Sequence, residues 1–312
     1  MGVVHKGRCC PQVGRAGWKW GRGERHRARV ADELFSYREL LGAGLSREAV
    51  RSRVQAGRLR RLARGVYGWE GAAGEPLAAL FRRLPSDAVV GFQTGAQLHG
   101  FEALPTKYVH VIVPAGSVVP QIRGVLAHEA VLPVRDVRQV CGVPCASAAR
   151  CAVDLARTTR RMDALPLLDL CLRVGACLPD ELRTEVSRHA RLRGVRQARQ
   201  LVDLADPRAE CRQESQLRLV LVDAGLPVPE PQLWVPDEWG VPLYRLDLGY
   251  RTRRIGIEYD GVSHLDRDRL RHDRSRMNWL SAHGWHMRYF TDRDLYRRPR
   301  HIATTISALL RP

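Results

Sequence analysis

Residues 1–30 carry no periodic apolar pattern, and the first organised stretch begins at Phe35. Ser36 is placed to cap a helix running to Leu41, residues 42–44 read as a glycine-containing turn, and Ser46 starts a second helix through Val54. Gly57 closes that helix, and Leu59, Leu62, Val66 and Tyr67 form a two-stranded wing that turns at Gly65. The pattern predicts a winged helix-turn-helix over 31–70. From 71 to 205 the periods of helix and strand are mixed. They predict helices near 75–83 and 91–99, strands near 107–114 and 123–129, and helices near 146–157, 163–174, 179–189 and 193–204. Asp206 and Pro207 break the helical run and open a last segment, 206–312. It reads as a helix over 208–224, an extended lead through Pro227, Pro229 and Pro231, strands at 241–249 and 254–260, a helix at 265–283, a strand at 285–290 and a final helix. The expected fold class is α/β in the multi-domain α+β sense.

Period two sorts the side chains of the two long strands. Tyr244, Leu246 and Leu248 share one face and Arg245 and Asp247 the other, while Ile255, Ile257 and Tyr259 oppose Glu258 and Asp260. If Arg251 pairs with Arg254 across a two-residue loop, Asp247 falls opposite Glu258. Directly opposed Cβ atoms lie about 4.5–5.5 Å apart and like charges there repel. A cation is therefore expected between them, and oxygen donors at that spacing suit Mg²⁺ or Mn²⁺.

Composition narrows the partners. At 312 residues and 45% hydrophobic, the chain is long and apolar enough for two or three cores. No apolar stretch approaches the roughly 20 residues that span a bilayer, and the N-terminus lacks the pattern of a secretory leader, so no membrane partner and a cytoplasmic location are expected. The net charge is +18, nearly all of it arginine. Residues 1–30 hold Lys6, Arg8, Arg15, Lys19, Arg22, Arg25, Arg27 and Arg29 against Glu24, which reads as a disordered basic tail. The second cluster is ordered: Arg47, Arg51 and Arg58 recur at helical spacing on the second helix and its exit, and Arg61 and Arg64 continue it into the wing. That is where a major-groove reader meets phosphates and base edges, so DNA is the expected partner. The cysteines show no two-residue spacing suited to zinc, and the nearest set, Cys141, Cys145 and Cys151, reads as buried reduced thiols. His99, His110 and His128 read as packed or surface histidines rather than ligands.

Two resemblances follow. Gly44, Leu45, Ser46, Val50, Gly57, Arg58, Leu59 and Arg64 to Tyr67, then Ala96, Leu98, His99 and Gly100, then Gly142 to Pro144, Ser147, Arg150 and Asp154, resemble AbiEi-type antitoxins of type IV toxin-antitoxin systems, with Cys151 where threonine is expected. This implies a DNA-binding repressor, a cognate toxin, and an AbiEi-like middle domain over 71–205. Glu214, Ser215, Arg218, Gly225 to Pro227, Asp247, Glu258 to Gly261, His264, Asp273, Arg276, Leu280, Gly284, Trp285 and Arg288 resemble the Vsr-like branch of the PD-(D/E)XK nucleases. That implies a restriction-endonuclease-like α/β/α domain over 206–312, with Asp247, Glu258 and Asp260 as metal ligands. Glu214 would orient a metal-bound water or else a basic group, and His264 would serve as general base or leaving-group acid. Asp260 stands where the superfamily has lysine. The expectation is a DNA-binding protein with a Mg²⁺-dependent endonuclease domain, the alternative a non-catalytic regulator or antitoxin on a degenerate nuclease fold.

Overall fold

The structure, a computed structural model, describes residues 12–13, 19–20, 34–63, 66–69, 76–101, 106–261 and 267–311. The expected basic tail lies outside the described residues, apart from a parallel pairing of Gln12–Val13 with Lys19–Trp20. The chain divides into two compact units, 1–151 and 152–312.

The first unit begins with β1 (Leu34–Ser36), α1 (Tyr37–Gly42), α2 (Arg47–Gln55), β2 (Leu59–Ala63) and β3 (Val66–Trp69). The caps are those the sequence implies. Ser36 Oγ accepts the Glu39 backbone N–H at 3.1 Å while Glu39 accepts the Ser36 N–H, a reciprocal capping box, and Ser46 Oγ accepts the Ala49 N–H at 3.1 Å. The strands form an antiparallel sheet in the order β1-β3-β2, and Leu40, Val50, Leu59 and Tyr67 are the buried core beneath it.

After α3 (Pro76–Phe81) come β4 (Val89–Val90), α4 (Phe92–Leu98), β5 (Val109–Pro114), β6 (Val125–Ala130), β7 (Val137–Val140), β8 (Val143–Ala146) and α5 (Ala148–Thr158), the division between units falling inside α5. These strands make a mixed sheet ordered β6-β5-β4-β8-β7. β5 is buried along Val109–Val113, a run apolar except for His110, of the kind a strand covered on both faces requires. The hairpin β7-β8 and the two-residue β4 were not expected from periodicity, each being too short to show a period.

The second unit continues with α6 (Arg161–Arg173), α7 (Pro179–Arg188), α8 (Val195–Leu204) and α9 (Arg212–Asp223), then β9 (Glu230–Pro236), β10 (Pro242–Tyr250), β11 (Ile255–Tyr259), α10 (Arg267–Ala282), β12 (His286–Phe290), α11 (Asp292–Arg297) and α12 (Pro299–Leu310). Gly194 opens α8 at φ +78°, and a Cβ there would stand 1.9 Å from the Arg157 carbonyl oxygen, so only glycine fits. The sheet order is β9-β10-β11-β12, antiparallel except for the parallel pair β11/β12. One cluster packs Leu217 and Leu221 of α9, Ile302 and Ile306 of α12, and Leu248, Ile255 and Ile257 of the sheet; another packs Leu233, Val235 and Leu246 with Leu280 of α10. Burying a leucine in such a cluster is worth about 2–5 kcal/mol against truncation to alanine.

Leu246 and Leu248 therefore join different clusters, which corrects the expectation that they share a face. The ladder between β9 and β10 pairs Pro231 with Leu248 and Leu233 with Leu246 but omits Gln232 against Asp247, and Gln232 sits at φ +52°. This local break interrupts the alternation at the position of Asp247.

Candidate nucleic-acid interface and carboxylate cluster

On the winged helix, Arg47 and Arg51 lie one turn apart on α2, Arg58 follows its end, and Arg61 lies on β2; all are exposed. None of the four forms a salt bridge or a side-chain hydrogen bond within the described residues, so the guanidinium donors face solvent. Arg53, by contrast, is half-buried and donates back to the Ala49 carbonyl at 3.4 Å. Arg51 and Arg61 border one shallow depression together with Tyr37, Gln55 and Tyr67. Arg64 lies outside the described residues. The sequence-predicted basic set is thus brought to one helix and its wing at Arg47, Arg51, Arg58 and Arg61.

In the second unit, β10 and β11 pair Leu248 with Ile257, Gly249 with Gly256 and Tyr250 with Ile255. That is the register the sequence implies, and continued by one residue it sets Asp247 against Glu258. The loop is a 3₁₀ turn, Arg251–Arg253, closed by Arg254 at φ +49°. Asp247 Oδ2 accepts the Tyr259 N–H at 2.9 Å. Burial first, and then the charges of Glu214 and Glu258, push the Asp247 carboxyl up to about 7, against the opposing Tyr259 hydrogen bond and Arg276. Glu214, in the first turn of α9, is buried and accepts from Gln232 Nε2 at 2.8 Å and from the Glu210 N–H at 2.9 Å.

The cation beside these carboxylates is Arg276 of α10. It grips both oxygens of Glu258, one at 3.0 Å, and donates to the Arg245 carbonyl at 2.8 Å. Sequence reasoning gave Arg276 as a residue of the Vsr-like motif; its docking on Glu258 follows from the approach of α10 to β11, which no spacing encodes. Asp260 is exposed and its N–H donates to the Phe290 carbonyl at 2.8 Å. His264 lies outside the described residues. Gln232, which ties Glu214 to the sheet, was missed, and its positive φ has no periodic signal.

Other motif residues hold structure. Ser147 Oγ accepts the Arg150 N–H at 3.2 Å, and buried Arg150 donates to the Val131 carbonyl at 3.1 Å, fixing the entry to α5. Fully buried Asp154 accepts from Arg157 Nε at 2.8 Å. Arg218 and Asp169 form an ion pair at 2.6 Å that buries both side chains.

The winged helix followed by a mixed-sheet domain is matched by two family models. Residues 27–68 match the one described as "Transcriptional regulator, AbiEi antitoxin", and residues 88–204 match the "AbiEi antitoxin C-terminal domain". The chain is also 32% identical over 269 residues to the "Uncharacterized protein Rv2248" of Mycobacterium tuberculosis (strain ATCC 25618 / H37Rv) and, equally, to the "Uncharacterized protein MT2308" of strain CDC 1551 / Oshkosh. The alignments cover 84% of this chain and 96% of each relative. It belongs to the family of these mycobacterial proteins and carries AbiEi antitoxin domains. Among solved structures, the RV2827C protein from Mycobacterium tuberculosis is similar over 61% of this chain and 80% of its own, at 17% identity and a TM-score of 0.39. No helix among the described residues is long and apolar enough to cross a membrane.

Proposed function

We propose that the chain is a DNA-binding transcriptional regulator of the antitoxin kind, acting with a cognate toxin. The observation that carries this reading is the set of exposed arginines on α2 and the wing, Arg47, Arg51, Arg58 and Arg61, none of them neutralised by an acid within the described residues. Unpaired guanidinium groups at the start and end of a second helix are suited to phosphates and guanine edges. The AbiEi matches over the same residues and the segment after them support the same reading.

Residues 206–312 enter the proposal as a Vsr-like, restriction-endonuclease-like module that does not cut. Asp247, Glu258 and Asp260 do not fit a divalent metal as they are arranged: Arg276 already neutralises Glu258, and Asp260 faces solvent. A Mg²⁺-dependent nuclease is the second reading. It is favoured by one observation, the juxtaposition of Asp247 with Glu258 and Glu214.

Fluorescence anisotropy with a labelled duplex, measured across a salt series, tests the regulator reading. Replacing Arg51 and Arg58 with alanine is expected to weaken binding and to flatten the log-log salt slope by about 0.9 for each phosphate that is no longer neutralised. A variant with the affinity and slope of the wild type would remove the winged helix from the interface.

A further inference from the structure

His99, Cys145 and Cys151 are distant in sequence and adjacent in the first unit. His99 caps the C-terminal end of α4, Cys145 lies on β8 in register with Val90 of β4, and Cys151 lies in the first turn of α5. His99 Nε2 stands 3.7 Å from Cys145 Sγ, and one ligand atom from each of the three residues lies within 4.8 Å of the others. Both thiols are fully buried, and His99 is the partly exposed member. In a tetrahedral site with bonds of about 2.0–2.3 Å, neighbouring donor atoms lie about 3.3–3.8 Å apart, so the three side chains need only small rotations to share one ion.

The surroundings keep this space open. Gly95 lies one turn before His99, and a Cβ there would stand 2.4 Å from Cys151 Sγ and 3.5 Å from Cys145 Sγ. A glycine inside a helix costs about 1 kcal/mol relative to alanine, and here it seats two sulfurs. The Ala146 carbonyl oxygen faces the same space, 2.8 Å from His99 Nε2 and 3.7 Å from Cys151 Sγ.

We propose that His99, Cys145 and Cys151 form a zinc site that ties α4, β8 and α5 together, with the Ala146 carbonyl as the fourth donor. Two thiolates and a neutral imidazole make Zn²⁺ electrically neutral, the condition under which a dication is tolerated in a buried, low-dielectric site. On binding, each thiol releases its proton to solvent, and His99 offers the Nε2 lone pair while its proton resides on Nδ1. No cysteine in the chain has the two-residue spacing that announces a zinc site, which explains why the sequence pattern suggested none.

The test uses the full chain, purified under reducing conditions, stripped of metal and titrated with Co²⁺ as the spectroscopic probe, followed by Zn²⁺. One Co²⁺ per chain with a thiolate-to-cobalt charge-transfer band, displaced by Zn²⁺, is expected for the wild type and for Cys171→Ser, a control at a thiol outside the site. Cys151→Thr keeps a hydroxyl donor for the Ala146 carbonyl; it is expected to retain its circular dichroism yet lose the band and bind roughly 100-fold or more weaker, one ligand being gone. His99→Ala is expected to bind weakly too. Absence of the band in the wild type, its persistence in Cys151→Thr, or a Cys145–Cys151 disulfide in the isolated protein would overturn the site.

Discussion

Asp247 shows how one side chain can report on its site. Its carboxyl is held near 7 by burial, with Glu214 and Glu258 adding to the shift. From about pH 4, where the unfolded carboxyl ionises, to about pH 7, the folded state retains a proton that the unfolded state has released. The Asp247 contribution to stability therefore falls as pH rises through this window and is level above it. Asparagine reproduces the protonated form and can still accept the Tyr259 N–H. Asp247→Asn is expected to match the wild type near pH 4 and to gain stability steadily to pH 7, by about 2–4 kcal/mol at the plateau. Urea melts across that pH range check this. A constant difference, or a loss growing with pH, would mean that Asp247 is ionised and neutralised by a cation. Across the strand, Glu258 has a bidentate guanidinium partner in Arg276, a cation already beside the opposed carboxylates.

At the level of elements, α6 and α9 are joined by charge as well as by apolar packing. Arg218 and Asp169 pair at 2.6 Å with both side chains 2% exposed; Arg218 also donates to the Leu204 carbonyl, and Asp169 accepts the Asp206 N–H at 2.8 Å. Removing one partner strands a buried charge, so Arg218→Ala is expected to cost about 3–5 kcal/mol in denaturant unfolding. The pair Asp169→Leu with Arg218→Met, which strands none, is expected to cost markedly less. Equal losses in both variants would assign the cost to packing instead.

The same elements show what the sequence could and could not convey. Helices announced by caps were legible, as at Ser36 and Ser46, because capping is local chemistry. The register of β10 on β11 was legible because a short turn fixes it. The sides taken by Leu246 and Leu248 were not, since the break in alternation at Asp247 comes from Gln232 on another strand. The extended lead through Pro231 proved to be edge strand β9, a position that tolerates proline. The exposed arginines of the winged helix were readable from local spacing, whereas Arg276 on Glu258 and His99 beside two thiols depend on the meeting of elements far apart in the chain.

For the whole molecule, a net charge of +18 would attract DNA anywhere if it were evenly available. Part of it is neutralised: in the second unit Arg245 pairs with Glu210, Arg251 with Glu230, Arg208 with Asp206 and Arg276 with Glu258, while Arg196, Arg199, Arg293, Arg297 and Arg300 are exposed and form no salt bridge among the described residues. On α2 and the wing, Arg47, Arg51, Arg58 and Arg61 are exposed and unpaired among the described residues. In the proposed reading the winged helix, where four such arginines cluster on one helix and its wing, binds the DNA, and the carboxylate cluster has no cutting role. The most direct measurement follows a 5′-labelled duplex through anisotropy and then a denaturing gel, in Mg²⁺ and at a protein concentration that saturates binding. Bound and intact DNA for the wild type, with binding weakened in the Arg51→Ala, Arg58→Ala double variant, is the predicted result. Fragments that require Mg²⁺, vanish with EDTA and are absent with Asp247→Ala would contradict it, and would make the chain a nuclease.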